Sequence, residues 1–383
     1  MTGPGGPPTV GVNLLWLVPG VVGGSEEYTV NLLRAASDLQ AAGAQASPLR
    51  LRVYAQPTLA KAHPDLAERF EVVALPLAVA VKPARFAVES SWLAWRSRRD
   101  QLVHHGGGVA PYGTRGRLAV TLHDLQPLEL PQNFSPLQRR WFAAMLPRVA
   151  RVAERVLTPS AFTAQRAVAL LGLRADRVSV VPPVHLPSAS AATDLTRPEG
   201  RGIDAGRYLL YPAVSHPHKR HRDLIDALHL LADRYPDLRL VFTGAPGASA
   251  TELARRVVEL GLECKVEIRG RVSVDELEQL FRGATALVFP SVYEGFGNPV
   301  VEAMSHGVPV VAARAASLPE VAGGAAVLVE PESPQALAAG IEQILTDSAL
   351  AERLVAAGRV RAADFAPEVA GKALLDAYGD ALA

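Results

Sequence analysis

The chain has 383 residues, of which 49% are hydrophobic and 20% charged. This composition excludes a disordered or collagen-like protein, and at roughly 150 residues per domain it predicts two or three globular domains. The net charge of +1 conceals an asymmetry, because residues 1–190 carry 20 Lys and Arg against 12 Asp and Glu, whereas residues 191–383 carry 19 against 26. A half with a charge of +8 suits an anionic partner such as nucleic acid, a lipid surface or a phosphorylated small molecule, and a solvated basic surface without a specific partner is the alternative.

Several protein classes are excluded by the cysteine content, the hydropathy and the absence of motifs. Cys264 is the single cysteine, which excludes an internal disulfide and a multi-cysteine metal cluster and suits a reducing compartment. No segment approaches the roughly 20 apolar residues of a membrane span. The N-terminus lacks the basic region of a secretory signal, and no zinc-finger, helix-turn-helix or RNA-binding pattern occurs. We therefore expect a soluble, cytoplasmic protein with no nucleic-acid partner.

Short apolar runs alternate with longer helical patterns along the whole chain. In the first half, strands are predicted at 10–18, 118–122, 155–157 and 178–181, with a helix over 26–40 after the first strand. In the second half, strands are predicted at 208–211, 239–242, 266–268, 286–289 and 308–312. This alternation is typical of parallel sheets flanked by helices and predicts an α/β protein with two doubly wound, Rossmann-like domains.

The predicted domain boundary follows from a change in composition. Residues 188–206 are rich in Ser, Ala, Pro and Gly and read as a linker between domains at 1–187 and 207–365. We expect the two domains to face each other across a cleft. Ligands of such sheets bind outside the carboxyl ends of the strands, so the loops after the strands are the candidates for chemistry.

A glycine pair follows the first predicted strand. Gly23 and Gly24 would let the backbone approach a ligand closely, and the helix that follows would offer its N–H groups to an anion. Such glycines also occur as plain turn residues, and Ser25 is predicted as the N-cap of the helix in either case. The G-x-G-x-x-G fingerprint is absent, which disfavours a dinucleotide cofactor.

The strongest local pattern lies after the strand that ends at Phe289. Asn298 and Pro299 predict the N-cap and first position of a helix over 299–306. The glutamates Glu294 and Glu302 flank this helix start.

Seven residues separate these two glutamates. Because like charges repel, the two carboxylates would not both face a phosphate; they are suited to accept hydrogen bonds from sugar and ribose hydroxyls while the helix N–H groups face the anion. The alternative is a solvated helix start with no ligand.

The segment from Pro290 to Val311 resembles the signature of the family-4 retaining glycosyltransferases, whose hallmark is two glutamates separated by seven residues. Members of that family have two Rossmann-like domains in the GT-B fold. Shorter matches follow in the family's order at 23–26, 120–125, 157–163, around Lys219, 270–273 and 317–320. The resemblance implies that the last helix, residues 366–383, crosses back to the first domain.

The resemblance also implies roles for individual residues. His123 would contact the donor sugar, Lys219 would neutralise the donor diphosphate, and Glu294 would bind the donor sugar, while Asp124 would orient its loop. The further donor-binding residues that it implies are Gly23, Gly24, Gly270, Arg271, Gly295, Phe296, Gly297, Asn298 and Glu302.

The segment around Lys219 departs from the family pattern. Many members carry an Arg a few residues earlier, where this chain has Ser or Ala. We include Arg220 among the donor-binding residues as a replacement, with His216 or His221 as alternatives. The P-H-K-x-H pattern at 217–221 resembles a subset that transfers mannose or deoxyhexoses, which favours GDP-mannose as the donor over dTDP- or UDP-sugars.

The expected chemistry needs no cofactor beyond the nucleotide-sugar substrate. The family's usual proposal is substitution on the front face of the sugar, in which the departing phosphate takes the proton of the acceptor hydroxyl. No D-x-D motif appears, so we expect no obligatory metal.

The acceptor, a glycan, lipid-linked or small-molecule hydroxyl, would bind the N-terminal domain. Aromatic residues interleave with arginines at 85–99 and 139–142, a pattern that suits a lipid-linked acceptor or peripheral contact with the anionic inner face of the plasma membrane. A packed helix with a solvated Arg face is the alternative.

Two other functions fit the same architecture. One is a sugar-nucleotide epimerase or phosphorylase, which would form product without a new acceptor. The other is a non-catalytic subunit that binds sugar nucleotides, an interpretation favoured only by the missing Arg before Lys219.

Overall fold

The computed structural model describes residues 6–20, 23–43, 48–79, 81–186 and 206–383. The chain divides into two compact units, one comprising Met1–Val184 with Phe365–Ala383 and the other comprising His185–Asp364. The predicted linker at 188–206 lies, apart from Gly206, outside the described residues.

The first unit contains a parallel sheet of seven strands in the order β3-β2-β1-β4-β5-β6-β7. The strands are β1 (Thr9–Leu14), β2 (Arg50–Ala55), β3 (Glu71–Ala74), β4 (Leu102–His105), β5 (Arg117–Thr121), β6 (Arg155–Thr158) and β7 (Val178–Val180). The helices are α1 (Gly24–Ala41), α2 (Pro57–Ala62), α3 (Asp65–Arg69), α4 (Lys82–Val88), α5 (Ala94–Arg96), α6 (Gln126–Glu129), α7 (Pro136–Val152) and α8 (Ala161–Leu171). A π-helical turn, Glu89–Leu93, joins α4 to α5.

The second unit contains a parallel sheet of six strands in the order β10-β9-β8-β11-β12-β13. The strands are β8 (Tyr208–Pro212), β9 (Arg239–Thr243), β10 (Val266–Ile268), β11 (Ala286–Phe289), β12 (Val310–Ala313) and β13 (Val327–Val329). The helices are α9 (His221–Leu231), α10 (Ala250–Glu259), α11 (Val274–Gly283), α12 (Asn298–Ser305), α13 (Leu318–Ala322), α14 (Pro334–Thr346) and α15 (Ser348–Ala363). The predicted two-domain, doubly wound α/β architecture is therefore confirmed.

The predicted strands correspond to β1, β5, β6 and β7 of the first sheet and to β8, β9, β10, β11 and β12 of the second. Strands β1 and β11, for example, are covered on both faces, and a continuous apolar run marks such strands. The prediction for β1 is too long at its end, because the side chain of Asn13 accepts a hydrogen bond from the N–H of Leu15 at 3.0 Å and the backbone turns there.

The last helix, α16 (Pro367–Leu382), packs on the first unit, mainly against α1. The two helices approach closely at Gly371, where a Cβ atom would lie 2.9 Å from the carbonyl carbon of Ala35. The hydroxyl of Tyr378 is fully buried and lies 2.7 Å from Nδ1 of His104 on β4. This helix therefore completes the core of a unit from which it is separated by about half the chain.

Among the helices that the structure describes, none combines the length and the hydrophobicity that a transmembrane span needs.

Candidate functional site

The second unit brings Lys219 and Glu294 together at the carboxyl edge of its sheet. The Nζ atom of Lys219 lies 2.6 and 2.8 Å from the two carboxylate oxygens of Glu294. Both side chains are largely buried, with 18% and 12% of their surfaces exposed. The aromatic ring of Phe289, the last residue of β11, lies 6.0 Å from the same nitrogen. The cation and the carboxylate thus lie together in a weakly solvated position, where electrostatic interactions are stronger than at an open surface.

The backbone around Lys219 is tied to neighbouring elements. Residues Pro217–Lys219 form a 3₁₀ turn after β8, and the hydroxyl of Tyr211 donates to the carbonyl of Lys219 at 2.7 Å. The N–H of Val292, in the loop after β11, donates to the carbonyl of His218 at 3.0 Å. Burial, together with the charge of Glu294, raises the pKa of Tyr211 well above its usual value, so this hydroxyl keeps its proton and its hydrogen bond.

The helix α12 begins where the sequence predicts a ligand-facing helix start, but its cap differs from the prediction. Gly297 is the N-cap, with a φ of 111°, and Asn298 is the first helical residue instead of the cap. The φ of Gly297 lies in a region that favours glycine, and this explains why the cap conformation falls on Gly297 and not on Asn298. Pro299 follows within the first turn, where its missing N–H costs no hydrogen bond.

The other predicted residues of this region are Gly295 and Phe296 in the loop and Glu302 in the helix. The side chain of Phe296 is buried, so that only its backbone is suited to contact a ligand. Gly295 lies beside it, partly exposed. Glu302 lies in the second half of α12 and is partly exposed.

A cavity of about 270 Å³ lies at the carboxyl ends of β8, β9 and β10. Its lining includes Ala213, Phe242, Thr243, Gly244, Ile268 and Gly270. The N–H of Gly244 donates to the carbonyl of Gly270 at 2.7 Å, which joins the loops after β9 and β10. Arg271, next along the chain, is exposed. The cavity lining is mainly apolar with a few polar residues, which is typical of small-molecule sites.

Glycines hold the two loops beside this cavity in contact. A Cβ atom on Gly244 would lie 2.7 Å from the carbonyl group of Ala213, and one on Gly247 would lie 2.6 Å from the carbonyl oxygen of Ser215. The hydroxyl of Ser215 accepts the N–H of Gly247 at 2.8 Å. The backbone that leads from β8 to Lys219 is therefore fixed from the side of β9.

The side chain of Arg220 does not join Lys219. Its guanidinium donates to both carboxylate oxygens of Asp223, at 2.8 and 3.0 Å, and lies 3.2 Å from the carboxylate of Glu332. The carboxylate of Asp223 is buried, so removing Arg220 from it would leave an uncompensated charge. This ion pair disfavours Arg220 as the replacement for the missing Arg.

The histidines around Lys219 differ in exposure. His218 and His221 are buried, and burial together with the charge of Lys219 lowers their pKa values to about 3 and about 4. The Nε2 atom of His221 lies 3.2 Å from the carbonyl oxygen of Ala213. His216 is exposed and its ring stacks on His218, with centroids 5.8 Å apart. His216 is therefore the histidine of this segment that a ligand in solution can reach most readily.

His123 lies in the first unit, just after β5. Its Nε2 atom lies 2.9 Å from the carbonyl oxygen of Gly106, so Nε2 carries the proton and donates. Its ring packs on Trp16 and Tyr28, with centroid separations of 6.1 and 5.1 Å. Burial lowers the pKa of His123 to about 4, which keeps the imidazole neutral at pH 7. Asp124 accepts the N–H of Gln126 at 2.9 Å.

The glycine loop of the first unit also shows a shifted cap. The N-cap of α1 is Gly23, with a φ of 61°, and the helix begins at Gly24, so the prediction of Ser25 as the cap is wrong. A positive φ again favours glycine at the cap. The carboxylate of Glu26 accepts the N–H of Gly20 at 2.8 Å and contacts His63 at 2.8 Å, which fixes the turn.

A buried polar cluster beside β1 escapes prediction from the sequence. Asn13 donates to Glu89 at 3.2 Å and lies 3.1 Å from Nδ1 of His105. Burial raises the pKa of Glu89 to about 7. No sequence motif links these three residues, because they come from β1, the π-helical turn and β4.

In the part of the chain that the structure describes, no group of three His, Cys, Asp or Glu side chains is arranged to hold a metal ion.

Comparisons with known proteins identify the family. Residues 22–184 match the model of Glycosyltransferase Family 4, and residues 196–361 match that of Glycosyl transferases group 1. O-antigen chain mannosyltransferase B of Escherichia coli is 30% identical over 295 residues, which are 74% of this chain and 76% of that protein. O-antigen chain mannosyltransferase RfbU of Salmonella typhimurium is 28% identical over 261 residues, which are 64% and 69% of the two chains.

Solved structures share the fold. HepE of Anabaena, in complex with UDP-glucose, superposes with a TM-score of 0.73 at 21% identity, over 97% of this chain and 99% of that one. WaaG, a glycosyltransferase involved in lipopolysaccharide biosynthesis, gives a TM-score of 0.71 at 16% identity, over 96% and 99%. The family matches, the relatives and the two parallel sheets agree: this chain belongs to the family-4 glycosyltransferases of the GT-B fold.

Proposed function

We propose that this glycosyltransferase transfers mannose from GDP-mannose, with retention of anomeric configuration, to a hydroxyl of a saccharide, free or lipid-linked. The observation that carries the proposal is the contact of Lys219 with Glu294, a residue of the loop that leads into α12. The two relatives named as O-antigen chain mannosyltransferases and the P-H-K-x-H pattern at 217–221 support mannose.

Lys219 would act on the leaving group. Breaking the bond between the sugar and the phosphate leaves negative charge on the nucleoside diphosphate, and a fixed ammonium stabilises that charge in a weakly solvated site. The positive end of the α12 dipole, at Asn298, would act in the same direction. These groups would supply the stabilisation for which other enzymes use a divalent cation, so we expect transfer to continue in the presence of EDTA.

Glu294 would change partner when the donor binds. Without a ligand its carboxylate neutralises Lys219. A diphosphate competes for the ammonium, after which the carboxylate accepts hydrogen bonds from the sugar hydroxyls. The cavity beside Gly270 would take the base, and Glu302 the ribose. The departing phosphate oxygen would take the proton from the acceptor hydroxyl on the same face of the sugar, which preserves its configuration.

The first unit would contact an anionic membrane through an aromatic and basic surface made of Phe86, Tyr112, Trp141 and Arg148. The ring of Phe86 packs on Trp141 and Tyr112 with centroids 4.6 and 5.9 Å away, and the guanidinium of Arg148 lies 4.2 Å from the Tyr112 ring. Tyr112 and Trp141 keep 49% and 38% of their surfaces exposed. Basic charge next to exposed rings suits a layer of anionic lipid headgroups.

Liposome co-sedimentation tests this contact. We expect binding to vesicles that contain phosphatidylglycerol, weaker binding at high salt, and loss of binding in Trp141→Ala. Absence of binding at low salt would contradict the membrane contact but not the proposed transferase activity.

The function itself is tested with purified enzyme and radiolabelled nucleotide sugars. A thermal-shift screen over GDP-, UDP- and dTDP-sugars selects the donor, because a ligand that binds the folded state raises the melting temperature. Transfer from GDP-mannose to an acceptor hydroxyl is the expected result. Product without any acceptor would favour an epimerase or phosphorylase, and donor binding with neither transfer nor hydrolysis would favour a non-catalytic subunit.

A further inference from the structure

Ser317 contacts the loop that carries Glu294 from a separate element. Its side chain is fully buried, and its hydroxyl oxygen lies 3.0 Å from the carbonyl oxygen of Glu294 and 2.6 Å from that of Phe296. The single hydroxyl proton is therefore shared between two backbone carbonyls of the loop, with the shorter contact to Phe296.

The position of Ser317 in its own helix makes this contact informative. Ser317 is the N-cap of α13, where a serine side chain ordinarily accepts a hydrogen bond from a backbone N–H of the same helix. The side chain of Ser317 makes no such cap bond. Its hydroxyl forms hydrogen bonds with the loop of Glu294 instead of with its own helix.

The backbone on both sides of this contact is constrained. Ala316 has a φ of 51°, a left-handed conformation that is unfavourable for a residue with a Cβ atom. Gly297 has a φ of 111°, and a Cβ atom there would lie 2.8 Å from Cδ2 of Leu318. The two loops are thus packed against each other at the start of α12, and backbone strain of this kind persists where the surroundings enforce it.

We propose that Ser317 is a positioning residue that fixes the carbonyl groups of Glu294 and Phe296 and thereby directs the Glu294 carboxylate and the start of α12 toward the donor. This inference rests on the proposed function. Among the hydrogen bonds described, Ser317 forms none with Lys219, and it does not line the cavity at Gly270. We therefore expect loss of the hydroxyl to reduce donor affinity less than it reduces kcat. A displacement of a catalytic group by about 1 Å lowers turnover by about 100-fold.

The test compares Ser317→Ala and Ser317→Cys with Ser97→Ala in the full chain. Ser97 is a matched control, since it is also fully buried and donates to a backbone carbonyl, that of Leu93 at 2.8 Å, in the other unit. We expect kcat to fall about 10- to 100-fold in Ser317→Ala, with less than about a threefold change in KM for the donor. The thiol of Ser317→Cys is a weaker donor of similar size and should give an intermediate kcat.

The control separates a positioning role from a loss of stability. Ser97→Ala should lower the melting temperature about as much as Ser317→Ala while kcat stays at the wild-type value. Wild-type kcat in Ser317→Ala, or an equal loss of kcat in Ser97→Ala, would overturn the assignment. If Ser317→Ala does not fold, unchanged kcat in Ser317→Cys overturns it. An inactive wild-type enzyme would instead refute the proposed function.

Discussion

Lys219 and Glu294 are 75 residues apart in the sequence, yet the ammonium nitrogen of one lies 2.6 and 2.8 Å from the two carboxylate oxygens of the other. The contact joins the 3₁₀ turn after β8 to the loop after β11, two strands that are neighbours in the sheet. Each residue neutralises the other in the ligand-free chain. A phosphorylated ligand must therefore compete with Glu294 for the ammonium.

Lys219→Ala is expected to lower kcat by about 100- to 1,000-fold, because the departing phosphates lose a fixed positive charge in a weakly solvated site. Initial rates of sugar transfer at saturating donor check this. Lys372→Ala is the control, since Lys372 is an exposed lysine on α16 paired with Asp376. Equal rates in the wild type and in Lys219→Ala would refute the role of Lys219.

Glu294→Gln should separate phosphate binding from sugar transfer. The variant keeps the shape of the side chain but removes the charge that holds Lys219, so the ammonium becomes more available to a phosphate. We expect GDP to bind more tightly by at least about 1 kcal/mol, because this largely buried ion pair is stronger than an exposed one, while transfer of the sugar slows. Isothermal titration calorimetry with GDP gives the first quantity, and weaker binding of GDP would contradict the exchange of partners.

His123 should act as a neutral side chain near pH 7. Since burial lowers its pKa to about 4, its protonation state does not change between pH 6 and pH 8. We predict that His123→Gln reduces kcat/KM by a factor that is the same throughout this range. A reduction that changes about tenfold with an inflection near pH 6.5 would show that His123 titrates with its ordinary pKa.

Buried histidines should make the fold sensitive to acid. His104 lies between the hydroxyls of Tyr378 and Thr121, each 2.7 Å away, and burial lowers its pKa to about 3. In the unfolded chain, His104 takes up a proton near pH 6.5, whereas in the folded chain it stays neutral down to about pH 3. The free energy of unfolding therefore has its full value above pH 6.5 and falls by about 1.4 kcal/mol per pH unit as the pH drops from 6.5 toward 3. Glu89, with its pKa raised to about 7, acts in the opposite direction between pH 7 and pH 4.5.

The melting temperature as a function of pH measures this effect. Acidification from pH 7 to pH 5 should lower it less in His104→Gln than in the wild type. His229→Gln, which changes an exposed histidine, should behave as the wild type does. Parallel curves for His104→Gln and the wild type would mean that His104 is not held neutral by burial.

Two glycines of α16 should respond in opposite directions to the same substitution. Gly371→Ala places a Cβ atom 2.9 Å from the backbone of Ala35, and we expect overpacking to destabilise the first unit by about 1–3 kcal/mol. A Cβ atom on Gly379 would meet no neighbouring group within 4 Å, so Gly379→Ala should stabilise the helix by up to about 1 kcal/mol. Urea denaturation distinguishes the two, and equal midpoints would refute the close approach of α16 to α1.

A strand such as β11 is predictable from the sequence because burial on both faces leaves a continuous apolar run, and the bounds of β11 match the prediction. Strands β2 and β4, which carry buried polar or charged partners, are not predicted. Arg52 on β2 pairs with Asp100 at 2.7 Å, and His104 on β4 bonds to Tyr378 on α16. These partners are distant in sequence. The local pattern of β2 and β4 therefore does not reveal that their polar side chains form ion pairs or hydrogen bonds inside the fold.

The site is predictable to the level of which loops take part. Parallel strands bring their carboxyl ends to one edge, so the loops after β8 and β11 are expected to meet there. The contact of Ser317 with Glu294 and the ion pair of Arg220 depend on side-chain directions that no motif specifies. The caps at Gly23 and Gly297 escape prediction because Ser25 and Asn298 are good capping residues, but a positive φ decides in favour of glycine.

The most direct measurement is transfer from GDP-mannose by the wild type, Lys219→Ala and Glu294→Gln, with the anomeric configuration of the product read by NMR. We predict that the wild type forms a mannoside with the configuration of the donor and that both variants turn over at least about 100-fold more slowly. Full activity in both variants, or an inverted product, would contradict the account of the Lys219–Glu294 site.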